Sequence, residues 1–151
     1  MMTTFEIALA ADLDAIRALL SANGLPVDEL DEHLDDVILA KQEGATVGTV
    51  AVEYAGEAAL LRSLCVAPSH RRQAIAGRLL ANAEAKAAAR GVRELYLLTT
   101  TAAAFFVRHG FSSTPREEAP AGIRGTAQFQ TLCPATAICL RKSLPRRPGA
   151  A

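Results

Sequence analysis

Three arginines and a run of small residues stand together over residues 71–78, Arg71-Arg72-Gln73-Ala74-Ile75-Ala76-Gly77-Arg78. Just before them, Leu64-Cys65-Val66-Ala67-Pro68 reads as a strand stopped by proline. Just after, Ile75, Leu79, Leu80, Ala83 and Ala87 recur at helical spacing within 72–90, and Gly91 is placed to cap that helix. The first amides of a helix have no partners inside it and sit at the positive end of its dipole. Small side chains at Ala74, Ala76 and Gly77 let a phosphate or pyrophosphate approach those amides, and Arg71, Arg72 and Arg78 add charge for a polyphosphate. An ordinary strand-to-helix turn with its arginines in solvent fits the same residues. Arg62 is the second chemical signal, set among Leu60, Leu61 and Leu64. An arginine on a mostly apolar strand must find an anion or reach water. A carboxylate, phosphinate or arsinate would suit its fork, and a salt bridge to Glu53 across the hairpin would account for it equally well.

These residues need a scaffold, and the apolar spacing supplies one. Strands are expected at 4–9, 37–41, 46–54, 58–66, 93–99, 111–114 and 135–140, and helices at 12–22, 27–34, 72–90 and 101–109. Asn23-Gly24 stops the first helix, and the acidic second one carries Leu30 and Leu34 on its apolar face. The turn at Ala55-Gly56-Glu57 joins two strands into a hairpin. On the strict alternation of a strand, Ser63 faces away from Arg62. Residues 115–134 hold three prolines and two glycines, long for a plain connection and suited to a lid or to short helices. The expected fold class is α/β (α+β), with a mixed sheet. Residues 1–144 read as one domain and 145–151 as a flexible basic tail.

Composition narrows the function classes. Half of the 151 residues are hydrophobic, and 31 of them are alanine, so the chain reads as globular with much small apolar surface. Sixteen basic and sixteen acidic residues cancel, which argues against a dedicated nucleic-acid binder. No apolar run reaches the roughly 18 residues of a membrane span, and the first residues lack the basic segment of a signal peptide. Three widely spaced cysteines, Cys65, Cys133 and Cys139, give neither a disulfide framework nor a four-ligand zinc site, so a reducing cytoplasm is expected.

The 64–80 stretch resembles the acetyl-CoA signature Q/R-x-x-G-x-G/A of the GNAT superfamily of N-acetyltransferases. Arg71, Ala74 and Ala76 take its three defined positions, between a matching L-x-V-x-P lead and an L-L continuation. Ala74 replaces the first glycine, which the loop tolerates if its backbone is already helical. A second stretch, TTTAAAFFVRHGF at 99–111, resembles the family's N-x-x-A-x-x-L/F-Y-x-x-x-G-F block. It matches at Ala102, Phe105, Gly110 and Phe111 and departs at Thr99, where Asn is usual, and at Phe106, where Tyr is usual. LLRSLCV, the 95–111 block and the TLCPATAICLRKSL ending are similar to GNAT-type proteins associated with bacterial arsenic-resistance operons. Relatives in that group acetylate phosphinothricin or arsinothricin, glutamate analogues with an anionic head.

The resemblance implies a mostly antiparallel sheet of about seven strands with about four flanking helices, splayed between the strand at 64–66 and that at 93–99. It implies acetyl-CoA as cosubstrate, without a metal. Exposed backbone of Leu64, Cys65 and Val66 would hold the pantetheine and polarise the thioester oxygen. Arg71 to Arg78, Thr99 and Phe106 would complete the cosubstrate site. Phe106 cannot donate a proton. A thiol with pKa about 8.5 costs only about 2 kcal/mol to expel unprotonated near pH 7, and water or a hydroxyl such as Thr100 can substitute for an acid. Glu53, relaying through water, and His33, an imidazole, are the candidate bases, with Glu57 behind them. Arg62, Arg124 and Phe129 are the candidate acceptor-binding residues, with Thr126, Gln128 and Cys133 beside them in the 115–134 segment. The implied reaction moves acetyl to the amine of a small anionic amino-acid-like molecule, with no nucleic-acid or membrane partner and with a homodimer allowed for. A protein N-acetyltransferase and a non-catalytic acetyl-CoA sensor are the alternatives.

Overall fold

Apolar residues run consecutively through the central strands and recur every third or fourth position in the helices, and the chain folds accordingly. A computed structural model describes residues 2–27, 32–71, 73–132 and 135–145. In chain order its elements are β1 (Thr3–Ile7), α1 (Leu13–Ala22), β2 (Val37–Gln42), β3 (Ala45–Ala55), β4 (Ala58–Val66), α2 (Ile75–Ala89), β5 (Glu94–Thr99), α3 (Ala103–Arg108), β6 (Ser112–Ser113), α4 (Ala121–Arg124) and β7 (Ile138–Ser143). The seven strands take the order β1-β2-β3-β4-β5-β7-β6. Ladders β1–β2, β2–β3, β5–β7 and β6–β7 are antiparallel. One is parallel, with Ala58, Ala59 and Leu60 of β4 opposite Glu94, Leu95 and Tyr96 of β5. No described helix is long and apolar enough to cross a membrane.

The chain divides into two compact units, Met1–Val52 with Ser63–Ala85 and Glu53–Arg62 with Lys86–Ala151. In the first, Ile16, Leu19 and Leu20 of α1 pack with Val37, Leu39, Ala51 and Cys65. Each of the buried Ile, Leu and Val side chains stabilises by about 1.5–3 kcal/mol. Gly48 lets α2 approach the sheet, because a Cβ there would lie 2.9 Å from Leu79 Cδ1 and 3.3 Å from the Cys65 carbonyl oxygen. In the second unit Ala58, Leu60, Tyr96, Ala119, Ile123 and Cys139 form a core, with Ala55, Leu98 and Phe129 packed on it.

Several elements depart from the sequence expectation. The helix expected at 27–34 is not formed by the described part of that segment: only a single 3-10 turn, Leu34–Asp36, precedes β2. Strand β1 ends at Ile7, and Leu9 is exposed. Helix α2 starts at Ile75 rather than residue 72, because Ala74 is left-handed at φ +60°. The final strand lies three residues further on than expected, where Ile138–Ser143 finds its register against Thr99–Glu94. The 115–134 segment carries 3-10 turn Arg116–Glu118, α4 and a wide helical turn at Gln128–Leu132. Ser63 has φ +59°, so strand alternation breaks there and Ser63 and Leu64 are both half-buried.

Candidate functional site

The basic loop lies wholly in the first unit. Strand β4 ends at Val66, and the Ala67 N–H donates to the Val47 carbonyl oxygen at 2.8 Å, tying the exit to β3. Pro68–His70 makes one 3-10 turn, and Arg71, Gln73, Ala74 and Arg78 are exposed. Ile75 is buried and anchors the helix start, whereas Ala76 and Gly77 are half-buried. The Arg78 N–H donates to the Ala74 carbonyl oxygen at 3.2 Å. The amides of Ile75, Ala76 and Gly77 lie ahead of that bond, at the positive end of a 15-residue helix. Arg72 lies outside the described residues.

Ala74 corrects one expectation. Its backbone is left-handed, not helical, so the alanine stands where glycine would carry no steric cost. Side chains that the sequence reading did not single out hold the loop in this form. Gln42 of β2 donates from Nε2 to Gln73 Oε1 and to Thr3 Oγ1, both at 2.9 Å. Arg71 donates from Nη2 to Asn23 Oδ1 at 2.6 Å, and the Arg78 guanidinium carbon lies 4.6 Å from the centroid of the Phe5 ring. Asn23 reads in sequence only as a helix stop. Gln42 carries no signal in the sequence, since Lys41 already closes the apolar run Val37–Ala40.

Leu64 is half-buried, and Cys65 and Val66 are buried. Burial pushes the Cys65 thiol up to about 12, with the nearby Arg71 charge pulling the other way. Its side chain packs with the α1 core, so any role in the site falls to its backbone. His33 is exposed, outside any helix, and its carbonyl oxygen accepts from the Asp36 N–H at 3.0 Å.

The remaining candidates belong to the second unit. Of the two accounts of Arg62, the ion pair is present: its Nη1 lies 3.5 Å from Glu53 Oε1, with side-chain exposures of 5% and 18%. Glu53 Oε2 is buried and has no hydrogen-bond partner among the described residues. Phe129 packs against the core that holds Leu60 and Tyr96. Arg124, the last residue of α4, donates from Nε to the Ala119 carbonyl oxygen ahead of that helix at 2.9 Å. Thr99 Oγ1 accepts from the Ala102 N–H at 3.0 Å, and Thr100 is exposed. Phe106 is buried in α3, edge-on to Phe105 and Phe111 at 5.2 and 5.5 Å. Its ring therefore packs the fold at the position where the resemblance expects a tyrosine. Cys133 lies outside the described residues, among which no three His, Cys, Asp or Glu side chains converge as for a metal.

Comparison with known proteins identifies the family. The profile of the acetyltransferase (GNAT) domain matches residues 33–113, which include the basic loop and α2. An uncharacterised N-acetyltransferase of Chlorobaculum tepidum is 32% identical over 114 residues, 75% of this chain and 71% of that protein. An amino-acid acetyltransferase of Aeromonas salmonicida is 29% identical over 114 residues, 72% of this chain but 26% of that protein. Among solved structures, N-acetylglutamate synthase of Neisseria gonorrhoeae, in complex with coenzyme A and N-acetyl-glutamate, has the same fold. It superposes with a TM-score of 0.85 at 21% identity, covering 97% of this chain and 36% of that one. The chain thus spans about a third or less of these two larger enzymes. By profile, by relative and by fold, it belongs to the GNAT family of N-acetyltransferases.

Proposed function

We propose that this chain transfers acetyl from acetyl-CoA to the primary amine of a small amino acid carrying an anionic group, glutamate or a phosphinic or arsinic analogue of it. The observation that carries the cosubstrate half is the loop before α2, with the amides of Ile75–Gly77 and the exposed Arg71 and Arg78 on one short segment. Polyphosphate is the ligand such a segment suits. The backbone of Leu64, Cys65 and Val66 is assigned to the pantetheine and the thioester oxygen, the role that follows from family membership.

Acetyl-CoA supplies the acetyl group as a thioester: the amine nitrogen bonds to the carbonyl carbon, the C–S bond breaks, and coenzyme A leaves as its thiol. Glu53 takes the amine proton, relayed through a water to its carboxylate. Support for this is that the side chain keeps 18% exposure while Arg62 holds its Oε1 at 3.5 Å. The exposed His33 has no such setting. Phe106 offers no proton, so the thiol takes its proton from water or from a hydroxyl such as Thr100. The anionic acceptor is supported by the likeness to amino-acid acetyltransferases and by the exposed basic side chain of Arg124 in the second unit.

A thiol-release assay over glutamate, phosphinothricin, arsinothricin, polyamines and peptides tests this reading. Release is expected with the anionic amino acids, falling about 10²- to 10⁴-fold in Glu53→Gln. Equal rates with polyamines or peptides would overturn the acceptor class. Tight coenzyme A binding without amine-dependent release would make the chain a binding module.

A further inference from the structure

We propose that Gln42, a buried side chain at the end of β2, is a positioning residue for the cosubstrate loop and acts through Gln73. The proposal rests on the reading of residues 71–78 as the site of the acetyl-CoA phosphates. Gln42 is 4% exposed, a polar side chain in a position where an apolar one would fill the same space. A side-chain amide carries two N–H donors, and both are engaged, one by Thr3 Oγ1 on β1 and one by Gln73 Oε1 in the loop, each at 2.9 Å. The first bond joins two neighbouring strands, which the β1–β2 ladder already joins through Thr3 and Gln42 themselves. The second reaches out of the sheet to an exposed loop residue and has no backbone ladder beside it.

Gln73 directly precedes Ala74, whose φ of +60° is a conformation an alanine keeps only where its surroundings hold it. On the far side, the Arg78 N–H to the Ala74 carbonyl fixes the loop to the helix. On the near side Arg71 is tied to Asn23, and the bond from Gln42 to Gln73 is the anchor next to Ala74 itself. With both in place, the amides of Ile75–Gly77 are ordered before any phosphate arrives, and the cost of ordering them is removed from binding. The chemistry of position 42 fits this role. Gln73 Oε1 is an acceptor and requires an N–H. A carboxylate at 42 has none, and an aliphatic side chain would fill the core but leave Gln73 loose.

The test measures acetyl-CoA binding by calorimetry on the full chain and four variants, Gln42→Leu, Gln73→Ala, their double variant and Thr3→Val. Urea unfolding and the KM and kcat for acetyl-CoA are taken for each. Gln42→Leu and Gln73→Ala are each expected to weaken acetyl-CoA by about 3- to 10-fold, the size of one net hydrogen bond. The double variant is expected to bind no more weakly than the worse single one. Thr3→Val removes the other partner of Gln42 and is expected to bind as tightly as the parent. In Gln42→Leu the KM for acetyl-CoA rises by a larger factor than kcat falls. Additive losses in the double variant, unchanged affinity in Gln73→Ala, or an equal loss in Thr3→Val would each overturn the proposal. Gln73 is exposed, so its variant reads the link even if Gln42→Leu does not fold. If the parent chain does not bind acetyl-CoA, the reading of the loop fails instead, and hydrogen exchange at residues 74–77 then decides. Faster exchange in Gln73→Ala but not in Thr3→Val supports the anchor, and equal exchange overturns it.

Discussion

Replacing Ala74 by glycine should stabilise the protein, although glycine for alanine ordinarily does the reverse. A left-handed conformation costs an L-residue with a Cβ about 1–2 kcal/mol, and Ala74 pays it at φ +60°. Glycine adopts the same angles without the clash but adds freedom to the unfolded chain, worth about 0.4–1 kcal/mol against it. The difference leaves a net gain of about 0.5–1 kcal/mol, which for a chain of this length raises Tm by about 1–4 °C. Ala74 is exposed, so removing its methyl leaves no cavity to offset the gain. Ala76, two residues on and inside α2, is the control, where glycine should cost about 1 kcal/mol. Urea unfolding of both variants reads the two signs directly, as opposite shifts in midpoint with unchanged slope. A loss in Ala74→Gly as large as that in Ala76→Gly would refute the strained loop and with it the account of why α2 begins at Ile75.

Three further perturbations follow from the same geometry. Gly48→Ala brings a Cβ to 2.9 Å from Leu79 Cδ1 and 3.3 Å from the Cys65 carbonyl oxygen, and should cost about 1–3 kcal/mol in urea unfolding. Asp12 is held below its ordinary value near 3.8, first by the Leu9 N–H and then by Lys41, so it adds stability above pH 4 that is lost as the pH falls through the lowered value. Lys41 is raised above 10.5, chiefly by its hydrogen bond to Asp12, and its share persists below that pH and is lost as the pH climbs through the raised value. Asp12→Asn should therefore reduce stability at pH 7 by about 0.2–1 kcal/mol and flatten the acid limb of the pH–stability curve. The buried Cys65, pushed up to about 12, should resist alkylation at pH 8 in the folded state and react only as urea unfolds the chain. Rapid labelling without denaturant would contradict its burial.

The legible parts of the fold were those written in local periodicity. Leu79, Leu80, Ala83 and Ala87 mark α2 by spacing alone, and each is buried. The basic loop was equally legible, because arginines and small residues mark it without tertiary context. Ala74 was not, since an alanine suggests right-handed helix and only the neighbours that hold it reverse that preference. The strand β7 was shifted for a similar reason. Arg141 and Lys142 look unlike a strand, but register with β5 places Arg141 opposite Tyr96, where its guanidinium reaches Glu94 at 3.6 Å. Arg62 and Glu53 were legible as partners from the hairpin between them. Gln42 was invisible as a contact, because Gln73 lies 31 residues away in sequence.

The hairpin that carries Glu53 and Arg62 also imposes an order on synthesis. Its residues Glu53–Arg62 belong to the second unit, yet they interrupt the first, which is complete once Ala85 has been made. Ala58 and Leu60 thus leave the ribosome well before Tyr96, Ile123 and Cys139, the residues that cover them. At about 5–20 residues per second, that gap exposes an apolar strand for several seconds. Through that interval Ala58 and Leu60 are without the core that later covers them, which makes this the stage of synthesis most open to off-pathway contact.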